Sequence, residues 1–325
     1  MRHVPSDLLL KTVPFAKEHV ATSWRHTLVA WLLLLASITG VVMLPAWWMK
    51  VMCSAGVAVL MSRTFVIYHD YVHGAILKSS RLAKVLFAVY GVFCLAPMTV
   101  WKRTHDYHHR YNGRLSKPSI GTYPVFTKKR FERASMSERK SYLFARHPIV
   151  IAMGYWFTFL HGMCIQPGLA SPMKHWDSCL AVGGHAMYLA GMYMVAGWEV
   201  TMLAIVLPNT AAFGFGAYLF YVQHNFPSAV YACDGEWAYE SSALQSSSFL
   251  DLSPFMHWVT ANIGYHHIHH LNARIPFYRL PEAQAAIPEL QQPLRTNLKL
   301  KEVRRCFALK LWDEQKGRMI SLAEG

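Results

Sequence analysis

Thr27 to Leu44 reads TLVAWLLLLASITGVVML, 18 residues without a charge. A helix rises about 1.5 Å per residue, so this run nearly crosses a hydrocarbon core of roughly 30 Å. Backbone inside lipid must satisfy its own polar groups, which restricts such a chain to helices or a closed barrel. A cleaved signal peptide is the competing reading. The run lies too deep for that, ends at Leu44-Pro45-Ala46-Trp47-Trp48 rather than at small residues, and leads into a second apolar stretch. Composition agrees with a lipid environment, since 15% of residues are charged against about 25% in an average soluble domain.

Four stretches read as spanning helices: Thr27 to Leu44, Trp47 to Tyr68, about Leu180 to Gly197, and Thr201 to Val222. Two further apolar stretches, Val85 to Trp101 with its Pro97 and Ile149 to Ile165 with Gly154 and Gly162, are read as re-entrant or interfacial. The reason lies in the histidines. Nine of the 18 fall in three five-residue windows: His69 and His73; His105, His108 and His109; His266, His267, His269 and His270. If either ambiguous stretch crossed the bilayer, the windows would sit on opposite sides and could not meet.

Residues three and four apart share a helix face, so His69 with His73, and His105 with His108 and His109, can aim at one point. Imidazole suits Zn, Cu, Fe and Ni, whereas clustered histidines would otherwise repel when protonated. In the third window His266-x-x-His269-His270 matches the register of His105-x-x-His108-His109, which leaves His267 as the odd one out. His224, in Gln223-His224-Asn225-Phe226 after the fourth stretch, leaves the lipid where His69 does and joins the candidates. Nine ligands exceed one ion's four to six sites and suit two, so a dinuclear centre is expected. Asp70 and Asp106 each follow a box histidine and either orient an imidazole or stand solvated. His26, His147, His161, His185 and His257 read as structural, and Trp101, Tyr107 and Trp258 as packing aromatics that are also hypothetical pocket lining.

Lysine and arginine number four in the N-terminal 26 residues, fifteen from Lys78 to Arg146 and ten after Val222, while the proposed outer turns hold only Lys50. The positive-inside rule then puts every box and both termini in the cytoplasm. The net charge of +14 sits beside an anionic leaflet and needs no nucleic acid. The basic segment Thr127 to Arg146 is a solvated loop or a grip for headgroups or an acidic carrier surface. The six cysteines show no paired spacing and read as buried small hydrophobes. The expected architecture is an all-α integral membrane protein, one domain over 1–325. Four transmembrane helices in two hairpins carry interfacial helices and a cytosolic histidine-box cap of residues 69–178 and 223–325.

Asn262-Ile-Gly-Tyr-His-His-Ile-His-His-Leu271, followed by Arg274-Ile-Pro-Phe-Tyr-Arg-Leu280, resembles the third box of the membrane fatty acid desaturase family, closest to bacterial and cyanobacterial acyl-lipid desaturases. The likeness runs from the first hairpin to about Leu280. It implies a non-haem centre of two Fe ions, held and made catalytic by His69, His73, His105, His108, His109, His224, His266, His269 and His270. It also implies O2 as co-substrate and a membrane-lipid acyl chain as substrate. The two electrons must come from an external donor such as ferredoxin, rubredoxin or a cytochrome, since the chain has no cytochrome b5-like His-Pro-Gly-Gly and no flavin or nicotinamide fingerprint. The first box, His-Asp-Tyr-Val-His-Gly, and the second, His-Asp-Tyr-His-His, depart from the commoner acyl-lipid patterns, which leaves regiochemistry open. The same scaffold hosts hydroxylases, acetylenases and decarboxylating oxidases. A non-catalytic metal-binding or transport protein is the rival from another class, but transporters place ionisable ligands near the bilayer midplane, whereas these boxes lie beyond the span ends.

Overall fold

The computed structural model describes residues 7–324. The chain is mostly helical. Helix α1 (Val20–Met43) stops where Pro45 forces its predecessor out of the helical region, and α2 (Trp47–His73) turns back against it. Small residues let the pair close up: Gly40 meets Cys53, and Gly56 meets Ser37. Leu28, Leu32, Leu33 and Leu35 point outward, as expected where lipid is the solvent. At about 1.5 Å per residue α2 is roughly 40 Å long, so its last turns project beyond a 30 Å core and carry His69 and His73. Gly74, with φ 70°, ends it in the left-handed cap that glycine adopts without penalty.

Helices α3 (Arg81–Phe93) and α4 (Met98–Tyr111) are bent by 90° at the intervening turn. Side chains from three other elements pin that turn. Tyr68 Oη donates to the Ala96 carbonyl, Cys164 Sγ to the Leu95 carbonyl, and His185 Nδ1 lies 3.0 Å from the Phe93 carbonyl. Asp177 then caps α4, accepting from the Thr99 amide and hydroxyl at 2.9 and 2.6 Å. The second half of the helical body begins with a π-helical stretch, Tyr155–Ile165, laid across the later helices. The chain just before it packs closely on Gly214, where an added Cβ would lie 2.1 Å from the Ala152 carbonyl.

Among the described residues three helices are long and apolar enough to cross a membrane: α1, α2 and the 47 residues Trp176–Val222. The third comprises α5 (Trp176–Thr201), a π-helical turn and α6 (Leu207–Val222). It is interrupted at Gly197, whose φ of 78° and ψ of 178° are not helical. Just past that break Glu199 lies 4.0 Å from Lys50, in the first turn of α2.

The all-α expectation needs amendment in the cap. Strands β1 (Phe126–Thr127), β4 (Leu309–Asp313) and β5 (Arg318–Ser321) form one small sheet in the order β1-β4-β5, with β1 parallel and β5 antiparallel to β4. Strands β2 (Phe249–Asp251) and β3 (Arg295–Asn297) form a parallel pair. Between the three-stranded sheet and α6 sits Arg146, fully buried. It donates to the carbonyls of Pro124 and Leu309, to Tyr221 Oη and to Asn225 Oδ1. It thereby ties the C-terminal sheet to the residue that follows His224. The cap is completed by α7 (Pro254–Val259) and α8 (His266–Leu271). All six cysteines are free.

Candidate metal centre

The structure brings all nine of the expected histidines together and sorts them into two groups: His69, His73, His105, His109 and His269; and His108, His224, His266 and His270. All are buried except His73, which is partly exposed. Helix geometry explains the sorting. In each His-x-x-His-His box the first and last histidines, four apart, lie about 40° apart on the helix, while the middle one is rotated to the other flank. So His105 and His109 serve the first group and His108 the second, whereas His266 and His270 serve the second and His269 the first. Helices α4 and α8 each reach both groups; α2 supplies only the first, and the end of α6 only the second.

Ring nitrogens converge. In the first group Nε2 of His69 lies 2.8 Å from that of His105 and 3.2 Å from that of His73, and Nε2 of His109 lies 3.2 Å from that of His105 and 3.1 Å from that of His269. In the second, His108, His224, His266 and His270 form a closed ring of Nε2 atoms with edges of 3.1, 3.0, 3.1 and 3.2 Å. The centre of a square with that edge lies about 2.2 Å from each corner, against 2.0–2.1 Å for imidazole nitrogen on zinc. Facing nitrogens at such spacing fit a shared cation, and two groups of five and four fit two cations.

Two of the nine are oriented through the other ring nitrogen. His69 Nδ1 lies 3.2 Å from Asp70 Oδ1, and the other Asp70 oxygen accepts the Phe277 amide at 2.7 Å, so one buried carboxylate locks α2 to the segment after α8. His224 Nδ1 lies 2.9 Å from the Ser246 carbonyl. Tyr231 and Tyr239 hold the backbone of two of these histidines, donating to the carbonyls of His224 and His270 at 2.7 and 2.8 Å. Burial, and secondarily the neighbouring imidazoles, push His105, His108, His109, His266, His269 and His270 well below the ordinary histidine range. Burial brings His224 down to about 4. Neutral imidazoles keep their lone pairs available for a metal.

The structure decides several readings that the sequence left open. Asp106 is an exposed partner of Lys102 at 2.8 Å and does not orient an imidazole. His267 belongs to neither group; its ring turns toward the backbone of Ser248 and Leu290. Trp101 does line the centre, stacked on His105 at 4.8 Å and 13°. Tyr107 lies on the opposite face of α4, and Trp258 stacks over Arg63 instead. Phe220, 4.9 Å from His108 and 6.1 Å from His105, spans both groups and was not anticipated, because nothing distinguishes it in sequence from its apolar neighbours. The same holds for Tyr231, Tyr239 and Arg146.

A model of the family described as fatty acid desaturase matches residues 45–298. Among curated proteins the chain is similar to a fatty acid desaturase of Bacillus subtilis (strain 168), 30% identical over 264 residues, covering 80% of this chain and 74% of that one. It is also similar to the chloroplastic omega-6 fatty acid desaturases of Spinacia oleracea and Brassica napus, 21% identical in each case over 80% of this chain. The match spans 59% and 60% of those plant proteins, less than two thirds of their length.

Proposed function

Since this chain belongs to the fatty acid desaturase family, an oxidoreductase group, we propose that it introduces a double bond into a lipid-linked acyl chain at a histidine-held diiron centre. The observation that carries this reading is the pair of converging histidine groups, five and four, within a family-matching chain. The nine ligands are His69, His73, His105, His109 and His269 for one iron and His108, His224, His266 and His270 for the other. Iron bound there supplies, with O2, the oxidising power that an unactivated C–H requires. The balance is one –CH2–CH2– unit, one O2, two electrons and two protons giving –CH=CH– and two waters.

The protein's own part is placement and exclusion of water. Asp70 and the Ser246 carbonyl hold His69 and His224 with Nε2 inward. Below the centre Phe65, Trp101, Phe159 and Phe213 pack edge to face and stacked, an apolar layer between the histidines and the helical body. A saturated chain offers no polar handle, so the carbon that meets the iron is selected by shape and position.

Four spans in two hairpins, with all boxes and both termini cytoplasmic, complete the proposal. A straight helix of 47 residues would be about 70 Å long, more than twice a hydrocarbon core, and Gly197 breaks it near its middle. The approach of Lys50 and Glu199 supports having both outer turns at one end. The lysine and arginine distribution supports the orientation. The electrons come from an external carrier.

The test is mass spectrometry of total fatty acids from a bacterial host expressing the protein with a ferredoxin system, beside a His269→Ala control. A new unsaturated chain only with the intact protein supports desaturation and locates the double bond. A product heavier by one oxygen would instead make this a hydroxylase. Zinc or copper in a single-ion site of the purified protein would refute the diiron centre.

A further inference from the structure

Two electrons per double bond have to reach the centre from a separate protein, so some surface must offer a short approach to the histidines. Helix α4 presents Trp101, His105, His108 and His109 inward; its other face carries Tyr107, Arg110 and Tyr111. Between that face and the loop through Ser119 opens a cleft of about 40 Å³ whose walls include His108 and His224, both of the four-histidine group. Of its lining, Pro118, Ser119 and Ile120 are exposed.

Cations outnumber acids along this stretch. From Lys102 to Ile120 the chain carries five cations, Lys102, Arg103, Arg110, Arg114 and Lys117, against one acid, Asp106. Asp106 is taken by Lys102, and Arg114 is taken by Asp234 from across the cleft. Among the described residues Arg110 and Lys117 have no carboxylate within ion-pair distance. The Lys117 ammonium lies 5.5 Å from the centre of the Tyr111 ring, which rises from the cleft wall. A cationic rim with an aromatic centre suits a negatively charged protein partner, because rim charges steer encounter and fix orientation.

We infer that the surface around the cleft, Lys117 and Tyr111 on its wall and the exposed Arg110 beside them on α4, is the docking surface for an acidic one-electron carrier protein, which passes its electrons to the four-histidine group behind His108 and His224. Each of two carrier molecules loses one electron per turnover. This inference rests on the desaturase reading above.

The test uses an acidic plant-type [2Fe–2S] ferredoxin as probe and full-length protein carrying Arg110→Glu and Lys117→Glu together, neither residue being a ligand. Binding is measured by fluorescence titration at two salt concentrations, on metal-free and iron-loaded protein alike. The expected result is about tenfold or greater weakening in the double variant and a flatter salt dependence, with unchanged reduction of the bound iron by dithionite. Equal affinity and equal salt dependence in both proteins would overturn the inference. So would an unaffected ferredoxin titration accompanied by reduced binding to nanodiscs of anionic phospholipid, which would assign the rim to headgroups. A wild type that binds ferredoxin through this rim but takes up no iron would sink the desaturase reading and leave the docking surface standing.

Discussion

Acidifying the metal-free protein should unfasten its cap. Eight histidines outside the long apolar segments, His105, His108, His109, His224, His266, His267, His269 and His270, are held below their ordinary range by burial, His224 and His267 at about 4 and the other six well below that range. A histidine whose folded value is depressed stays neutral while the unfolded chain takes a proton, so its contribution is intact above about pH 6.5 and is lost as pH falls below that. One pH unit lower, each such group has cost about 1.4 kcal/mol, and eight together on the order of 10 kcal/mol. That rivals the whole stability of a typical domain, about 5–15 kcal/mol. Chelator-stripped protein in detergent, followed by near-ultraviolet circular dichroism and by the rate of limited proteolysis in the cap, should therefore pass through a steep transition between about pH 6.5 and 5.5. Iron should move the transition to lower pH, because metal and protons compete for the same nitrogens. A metal-free cap whose proteolysis is flat from pH 7.5 to 5 would refute the argument, since it would mean that the imidazoles are hydrated.

Asp70→Asn should lower iron affinity by about 10–100-fold, read as metal retained after dialysis against a chelator, because it disturbs the acceptor shared by His69 and the Phe277 amide. Arg146→Met should destabilise the protein by about 3–5 kcal/mol, seen as a lower Tm, by stranding the Pro124 and Leu309 carbonyls and Asn225. Gly121→Ala should cost about 2 kcal/mol or more and reduce iron content, since φ is 69° and the new methyl would lie 2.3 Å from the carbonyl of Thr104, next to His105. His269→Ala should abolish activity while membrane insertion, checked by carbonate extraction, is unchanged.

The helical body was legible because its signals are long and repeated. Eighteen uncharged residues before Pro45, and a left-handed glycine after His73, each have one local meaning. The histidine set was legible for the same reason, and matching the third box to the second in register left His267 outside both groups, where the structure also leaves it. The division of each box between two groups was readable in principle from helical spacing, yet needs the facing helix to become visible. Short pieces were not legible: β4 is five residues, Leu-Lys-Leu-Trp-Asp, and pairs with β1 some 180 positions earlier. Asp70 and Asp106 occupy the same place in their boxes, and only burial separates the carboxylate that orients His69 from the one that pairs with Lys102.

Because α4 and α8 each carry histidines of both groups, neither group can be assembled without ordering most of the other. An ion that enters first has already met the entropic cost of fixing those two helices, so the second binds to a prepared partner. Metal uptake is then close to all-or-none: a titration should show a single step of two ions, and protein holding one iron should be scarce at every stage of loading.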